Sequence, residues 1–189
     1  MNSMTAKHSA AGEGNQGATG DQDVILRVPN AEDGPALFDL IAACPPLDQN
    51  SRYCNLLQVS HFAETAVVAE LEGEVVGSIT GYLKPTDPET LFIWQVAVHE
   101  KARGRRLATR MMEAIVDREF CRDVRFMETT IEPENKASWR AFEKFAEARG
   151  AQSSQSLLFS RERHFAGTHN DEVLLRIGPL SRGRTDRCA

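Results

Sequence analysis

The segment from Leu91 to Met112 constrains the fold more than any other part of the sequence. Residues Leu91–Val98 form a nearly continuous apolar run, which predicts a strand buried on both faces. A short polar turn follows, and apolar residues then recur at the spacing of a helix, which we expect over residues 105–120. A strand, a tight turn and a helix start bring free backbone N–H groups and a partial positive charge together. The sequence therefore predicts an anion site at this turn, and a phosphate or pyrophosphate is the usual ligand of such a site.

The turn carries the spacing Arg103-x-x-Arg106-x-Ala108. This spacing resembles the R-x-x-G-x-G/A signature of the GNAT N-acetyltransferase superfamily, whose loop holds the pyrophosphate of acetyl-CoA. Arg106 departs from the signature, which prefers glycine, and we expect its Cβ to fit only with a negative φ and an outward side chain. A basic surface turn that binds no ligand is the alternative, and the motif alone favours neither. The resemblance implies acetyl-CoA contacts at Val96, Val98, Arg103, Gly104, Arg105, Arg106, Leu107, Ala108 and Asn135.

Composition excludes several classes of protein. The chain has 189 residues, enough for one domain with a full core, and its net charge of −5 argues against nucleic-acid binding. No apolar run approaches the ~20 residues that span a bilayer, so we expect no membrane segment. The N-terminus also lacks the pattern of a signal peptide. The four cysteines show no C-x-x-C spacing, which favours free thiols and a cytoplasmic location.

The rest of the chain predicts an α/β domain in the order β-α-α-β-β-β-α-β-α-β-β. We expect a disordered tail over residues 1–23, the domain over 24–178 and a loose tail over 179–189. The order matches the GNAT fold, a mixed, mostly antiparallel sheet with helices on both faces. That resemblance implies a strand pair that splays after residue 98 to admit the pantetheine arm. The predicted strands are 24–28, 65–71, 74–82, 91–98, 124–131, 154–159 and 172–177, and the later helices are 105–120 and 135–149, with Gly150 ending the last one.

The segment Pro45–Leu57, PPLDQNSRYCNLL, is unusually polar and carries two prolines. It could be a simple connection or a rigid rim for a polar substrate. Together with FIWQVAVHEKARGRRLA (92–108), TTIEPENKASWRAFEKFA (129–146) and His169-x-x-Glu172, it resembles the L-2,4-diaminobutyrate acetyltransferases of ectoine synthesis. The resemblance covers about residues 24–178. It implies acetylation of the 4-amino group of L-2,4-diaminobutyrate from acetyl-CoA, without a metal, by a cytoplasmic homodimer with a role in osmoadaptation.

The substrate implied by this resemblance assigns roles to the polar residues. Asp48 would pair with the α-ammonium, Asn50 and Tyr53 would reach the carboxylate or Asp48, and Trp94 would wall the aliphatic stem. His169 and Glu172 would lie near the distal amine, and Glu172 is the stronger candidate to relay its proton, because an alkyl ammonium has a pKa near ~10 and must lose a proton before it attacks. Each residue also has a purely structural alternative: a turn for Asp48, packing for Tyr53, the core for Trp94 and a solvated loop for His169 and Glu172.

Several alternatives stay open from the sequence alone. The helix after Asn135 carries Phe142 where the superfamily often has a tyrosine acid, so the thiolate leaves unaided or takes a proton from another group such as Tyr53. Glu128 and Glu132 are reserve candidates for the base. A metal bound by His164, His169 and Glu172 is disfavoured, since their spacing matches no recognised ligand set. The chain could also acetylate another amine, or bind acyl-CoA without turnover.

Overall fold

The computed structural model describes residues 24–181, so the predicted N-terminal tail and most of the C-terminal tail lie outside the described residues. A single seven-stranded sheet has the strand order β1-β2-β3-β4-β5-β7-β6, and every neighbouring pair is antiparallel except the parallel pair β4–β5. The strands are β1 Ile25–Arg27, β2 Val67–Leu71, β3 Glu74–Lys84, β4 Asp87–Val98, β5 Phe126–Ile131, β6 Ser153–Phe159 and β7 Glu172–Ile177. The helices are α1 Gly34–Ala42, α2 Arg52–Ser60, α3 Leu107–Val116, α4 Lys136–Ala148 and α5 Arg161–Phe165.

Helices cover both faces of the sheet, as the sequence predicts. On one face, the apolar sides of α3 and α4 pack Met111, Met112, Phe142 and Phe145 into the main core. On the other face, α1 and α2 bury a smaller cluster against the sheet that consists of Leu37, Leu40, Ile41, Cys44, Val59 and Ala97. Within residues 24–181, no helix is long and apolar enough to cross a bilayer.

Strand β4 carries a bulge at Trp94. The pairing with β3 joins Gly81 to Ile93 and Thr80 to Gln95, so Trp94 is an extra residue with no partner. Gly81 permits this close arrangement, because a Cβ at that position would lie 2.6 Å from the carbonyl oxygen of Phe92. The extra residue reverses which side chains face which layer, so that Ile93 packs with α3 and α4 but Ala97 packs with α1 and α2.

The two parallel strands separate at the same bulge. Their pairing joins Thr90–Ile93 to Phe126–Thr129 and goes no further, which leaves residues 94–98 without a strand on that side. The predicted splay after residue 98 is therefore wrong in position, since it begins after Ile93. The prediction that Leu91–Val98 is buried on both faces is also wrong, because Trp94 is 47% exposed at the gap.

Most predicted elements are confirmed, and the differences fall at their ends. The turn at Glu72 and Gly73 has the positive φ angles of a tight hairpin, and Gly150 has φ +58 just after α4. Helix α3 is shorter than the predicted 105–120 at both ends, and the short helix α5 is absent from the prediction. Residues 179–181 contact the domain through hydrogen bonds from Leu180 N to Arg125 O (2.7 Å) and from Ser181 Oγ to Arg149 O (2.8 Å).

Candidate active site

A cavity of about 510 Å³ opens where β4 leaves β5. Val96 and Val98 of β4 form one wall, the loop before α3 and the first turn of α3 form a second, and α4 forms a third. The loop after α1, with Pro45 and Pro46, lies at its edge. All the predicted cofactor residues line this cavity except Arg105; they are Val96, Val98, Arg103, Gly104, Arg106, Leu107, Ala108 and Asn135.

The loop before α3 presents unpaired amides to the cavity. No backbone carbonyl in the described part of the chain accepts from the N–H groups of Gly104, Arg106, Leu107 and Ala108. Gly104 has φ +80 and Arg106 has φ +55, so two left-handed residues fold the chain tightly before the helix begins. The expectation of a negative φ at Arg106 is wrong: the residue adopts the conformation that glycine takes in the signature, at a cost of about 1–2 kcal/mol. Its side chain is exposed, as expected.

The cavity lining is strongly cationic. Four basic side chains contribute to it, from Arg103, Arg106, Arg140 and Lys144, and none of its lining residues is acidic. This sign is opposite to the net charge of −5 carried by the whole chain. The free amides at the helix start and the cationic lining suit phosphate groups. The open strand edge beside them suits an extended arm, and acetyl-CoA has both features.

Asn135 combines a structural and a cofactor-side position. Its side-chain oxygen accepts a hydrogen bond from the backbone N–H of Ser138 at 3.1 Å, which caps the start of α4. Asn135 also lines the cavity. The residue therefore caps α4 and borders the cavity at the same time.

A second, acidic cluster converges on His169. The Nε2 atom of His169 is 3.8 Å from a carboxylate oxygen of Asp48 and 4.0 Å from one of Glu132. Asn170 donates to the other Glu132 oxygen at 2.7 Å, which fixes that carboxylate. Glu172 belongs to the same cluster: ligand atoms of Glu132, His169 and Glu172 all lie within 4.8 Å of one another. The structure therefore brings together three of the predicted site residues, Asp48, His169 and Glu172, with Glu132, which the sequence offers only as a reserve base.

The cluster alters the protonation of two of its members. Burial raises the pKa of Glu172, and the nearby carboxylates of Glu132 and Asp48 add to the rise, while a hydrogen bond from Thr130 and the charge of His169 oppose it. A hydrogen bond to the Asn170 carbonyl raises the pKa of His169, and the three carboxylates reinforce this effect. Glu172 therefore accepts a proton more readily than an ordinary glutamate does.

Gln95 connects the predicted polar rim to the strand. Its side-chain N–H donates to the backbone carbonyl of Asp48 at 2.9 Å, and its oxygen accepts from the Asn50 amide at 3.3 Å. Asn50 is therefore held by Gln95, and its side chain makes no hydrogen bond to the Asp48 carboxylate within residues 24–181. The sequence offers no signal for Gln95, because it stands inside an apolar run and faces the rim only as a result of the bulge.

The two aromatic candidates lie at the edges of the site. The Trp94 ring packs edge-on against Tyr82 at a centroid distance of 6.4 Å, at the point where the strands separate. Tyr53 is in the first turn of α2 and is 70% exposed. Within residues 24–181 its hydroxyl makes no hydrogen bond, so the structure does not bring Tyr53 into contact with the acidic cluster. Phe142, at the expected tyrosine position, is buried in the core and reaches the cavity wall.

The two reserve bases have different environments. Glu128 is buried on β5 between Lys84, whose Nζ lies 2.7 Å from its carboxylate, and Arg176, which is in close contact with the other oxygen. Two cations thus occupy both oxygens of this carboxylate, which suits a structural ion pair and not a base. Glu132, in contrast, contributes directly to the acidic cluster.

The histidines do not form the ligand set considered from the sequence. The Nδ1 atom of His164 accepts a hydrogen bond from Ser160 N at 2.8 Å at the start of α5, and its ring packs against Phe159. Glu132, His169 and Glu172 are close enough to hold a divalent cation. The same anionic arrangement suits an ammonium group equally well, because both ligands require negative charge at short range.

Comparison with known proteins agrees with this geometry. The acetyltransferase (GNAT) family model matches residues 35–146. The chain is 52% identical to the L-2,4-diaminobutyric acid acetyltransferase of Methylotuvimicrobium alcaliphilum over 157 residues, which are 83% of this chain and 91% of that protein. It is 48% identical to the protein of the same name from Bordetella parapertussis, over 82% of this chain and 84% of that protein.

A solved structure has the same fold and a related sequence. The diaminobutyrate acetyltransferase EctA of Paenibacillus lautus, in complex with L-2,4-diaminobutyric acid and coenzyme A, superposes with a TM-score of 0.81 at 39% sequence identity. The superposition covers 86% of this chain and 98% of that one. The chain therefore belongs to the acetyltransferase (GNAT) family and, within it, to the family of the L-2,4-diaminobutyric acid acetyltransferases.

Proposed function

We propose that the protein transfers the acetyl group of acetyl-CoA to the 4-amino group of L-2,4-diaminobutyrate, the acetylation step of ectoine biosynthesis. One observation supports this above all others: a cationic cavity and an acidic cluster both adjoin the part of β4 that has separated from β5. The cationic cavity suits the phosphates of the cofactor, and the cluster of Asp48, Glu132 and Glu172 suits a substrate with two ammonium groups. Bound there, acetyl-CoA supplies an activated acetyl thioester.

Named residues can carry each remaining task. The backbone of β4 near Val96 lies at the open strand edge, where an N–H group can donate to the thioester oxygen. Asp48, the more exposed carboxylate, holds the α-ammonium, while Glu172, whose pKa is raised, takes the proton of the distal amine directly or through water. His169 orients these carboxylates. The stem of the substrate lies against Trp94, and Asn50 acts on the rim through Gln95.

Departure of the thiolate has two explanations that a single variant separates. Tyr53 could donate the proton, because it follows the Asp48 loop directly; its exposure of 70% supports the alternative, in which the thiolate leaves unaided. If Tyr53 is the acid, Tyr53→Phe lowers kcat by about 10²-fold or more. If departure is unaided, kcat stays within about threefold, a difference of less than ~1 kcal/mol in the barrier.

A panel of amines tests the assignment of substrate. We expect rapid release of free thiol from acetyl-CoA with L-2,4-diaminobutyrate, and little release with lysine or peptides. Faster release with another diamine, an aminoglycoside or a peptide N-terminus would replace the proposed substrate. Binding of acetyl-CoA without thiol release for any amine would establish a silent acyl-CoA-binding module instead.

We also propose that the protein is a cytoplasmic homodimer with a role in osmoadaptation. Strand β6 supports the dimer: it is an edge strand, all seven of its residues are exposed, and none of them is charged. Its end carries Leu157, Leu158 and Phe159 in contact with solvent. Exposed edges of this kind pair readily with another strand. Light scattering on the purified protein should give twice the chain mass, and the Leu157→Asp variant should give the mass of a monomer. A monomeric wild type would refute the proposed dimer.

A further inference from the structure

A buried polar patch lies between α2 and the sheet, outside the cavity and the acidic cluster. Asn55 and Gln58 are three positions apart on α2, Thr80 is on β3, and each of the three residues is at most 2% exposed. Within residues 24–181, Asn55 Oδ1, Gln58 Nε2 and Thr80 Oγ1 have no hydrogen-bond partner. Buried polar atoms without a partner are costly and rare in folded proteins, so these three require an explanation.

The packing of neighbouring rings places α2 over Thr80. Thr80 and Tyr82 are on the same face of β3, because alternate residues of a strand share a face. Phe62 follows Gln58 by one helical turn, and its ring lies 6.4 Å from the ring of Tyr82 between centroids. Gln58 is therefore held above the part of β3 that carries Thr80, and the unpaired atoms of the helix and the strand belong to one layer.

The unpaired groups are complementary to a single water molecule. Asn55 Nδ2 donates to Gln58 Oε1 at 3.0 Å, so this pair leaves one carbonyl acceptor and one N–H donor. Turning both amides over would leave the same two kinds of group. The Thr80 hydroxyl can either donate or accept. A water molecule donates twice and accepts twice, and buried waters typically bind about three polar groups that have no other partner.

Both sides of the patch lead to the polar rim. On the helix side, Asn55 N donates to Ser51 O at 3.1 Å, and Ser51 is the cap residue that joins the rim loop to α2. On the strand side, Thr80 pairs with Gln95, whose side chain holds the Asp48 carbonyl at 2.9 Å. A contact that fixes α2 against Thr80 therefore also fixes the loop that carries Asp48.

We propose that Asn55, Gln58 and Thr80 bind one internal water and thereby position the rim that receives the diamine. The effect on the diamine rests on the proposed function, whereas the water itself does not. The three residues are positioning residues, because they act through the rim. None of them lines the cationic cavity, so loss of the water should weaken binding of the diamine and leave binding of acetyl-CoA unchanged.

A crystal structure of the wild-type protein that resolves ordered solvent tests the water directly. One water should lie about 2.7–3.2 Å from Thr80 Oγ1 and from one polar atom of each amide. Direct hydrogen bonds from Thr80 to the amides, or no solvent density between α2 and β3 at this point, would overturn the proposal. This result does not depend on any transfer of an acetyl group.

Steady-state thiol release tests the positioning role. Thr80→Val removes the hydroxyl at nearly constant shape, and it should raise the KM for diaminobutyrate about 3–10-fold while the KM for acetyl-CoA stays within about twofold. Thr80→Ser keeps the hydroxyl and should keep the wild-type KM. Ser78→Ala is the matched control, because the buried Ser78 hydroxyl is on the same face of β3 but donates to Val67 O at 3.1 Å. It should lower Tm without a change in either KM.

An unchanged KM for the diamine in Thr80→Val, or an equal rise in Ser78→Ala, would overturn the positioning role. If Thr80→Val does not fold, Gln58→Met removes the amide at a similar length and should raise the same KM. Failure of the proposed acetylation gives a different pattern, in which the crystal shows the water but the wild type releases no thiol with diaminobutyrate.

Discussion

Replacing Asp48 with asparagine isolates one charge of the acidic cluster. The carboxylate lies 3.8 Å from His169 Nε2, and its backbone carbonyl, not its side chain, holds Gln95, so Asp48→Asn keeps the rim intact. Two unit charges about 4 Å apart attract by about 1 kcal/mol in bulk water and about 4 kcal/mol at a protein surface. Because the Asp48 side chain is 89% exposed, the lower part of that range applies. A loss of about 1–2 kcal/mol corresponds to a rise of roughly 5–30-fold in the KM for diaminobutyrate.

Steady-state thiol release with two substrates identifies which ammonium Asp48 contacts. 4-Aminobutyrate lacks the α-ammonium but keeps the distal amine and the carboxylate. Asp48→Asn should therefore weaken the reaction of diaminobutyrate while it leaves that of 4-aminobutyrate unchanged, and the KM for acetyl-CoA should not move. Glu162→Gln, an exposed charge removal on α5, is the control. Equal losses for both amines would place Asp48 near the distal amine, and unchanged kinetics would remove it from the site.

Three further variants follow from the same geometry. Glu172→Gln should lower kcat by about 10²–10⁴-fold and abolish the rise of wild-type kcat/KM with pH, since burial raises the pKa of this base. The same raised pKa means that the wild type loses stability as the pH increases through it, so the variant should have the higher Tm above that pH and no advantage below pH ~4. Arg106→Gly should keep activity within about tenfold, since the amides remain, and should raise Tm because glycine adopts φ +55 without strain; a total loss would make the guanidinium itself essential. Asp117→Ala should cost about 1–3 kcal/mol in urea unfolding, because the buried Arg149 loses both hydrogen bonds of 2.7 and 2.8 Å; an unchanged midpoint would refute that role.

Local patterns explain which features were predictable. The strand, turn and helix around Arg103 are set by neighbouring residues, and the cofactor residues cluster as the spacing indicates. The hairpin at Glu72 and Gly73 needs a positive φ angle, and so does the end of α4 at Gly150. Glycine adopts such angles readily, so its presence in the sequence indicates both turns. For the same reason, the order of strands and helices follows from periodicity, and the α/β fold with helices on both faces is confirmed.

Features that depend on residues distant in the sequence were not predictable. The bulge at Trp94 arises from pairing between two strands, and no residue type in Leu91–Val98 marks it. Its consequences, the early splay and the exposure of Gln95 to the rim, could not be foreseen either. Glu132 enters the cluster only because the loop after β5 meets the loop before β7, where Asn170 holds its carboxylate. The expected negative φ of Arg106 was wrong because the geometry of the turn requires a left-handed residue at this position, even where the residue carries a Cβ.

One irregular residue thus accounts for the division of the site. By adding a residue to β4, the bulge separates β5 from the strand and opens the cavity that Val96 and Val98 line. The same added residue turns Gln95 toward the loop that carries Asp48. A regular β4 would keep its pairing with β5, close the gap and rotate Gln95 away from that loop. The cationic cavity and the acidic cluster therefore both adjoin β4 as consequences of the same local distortion.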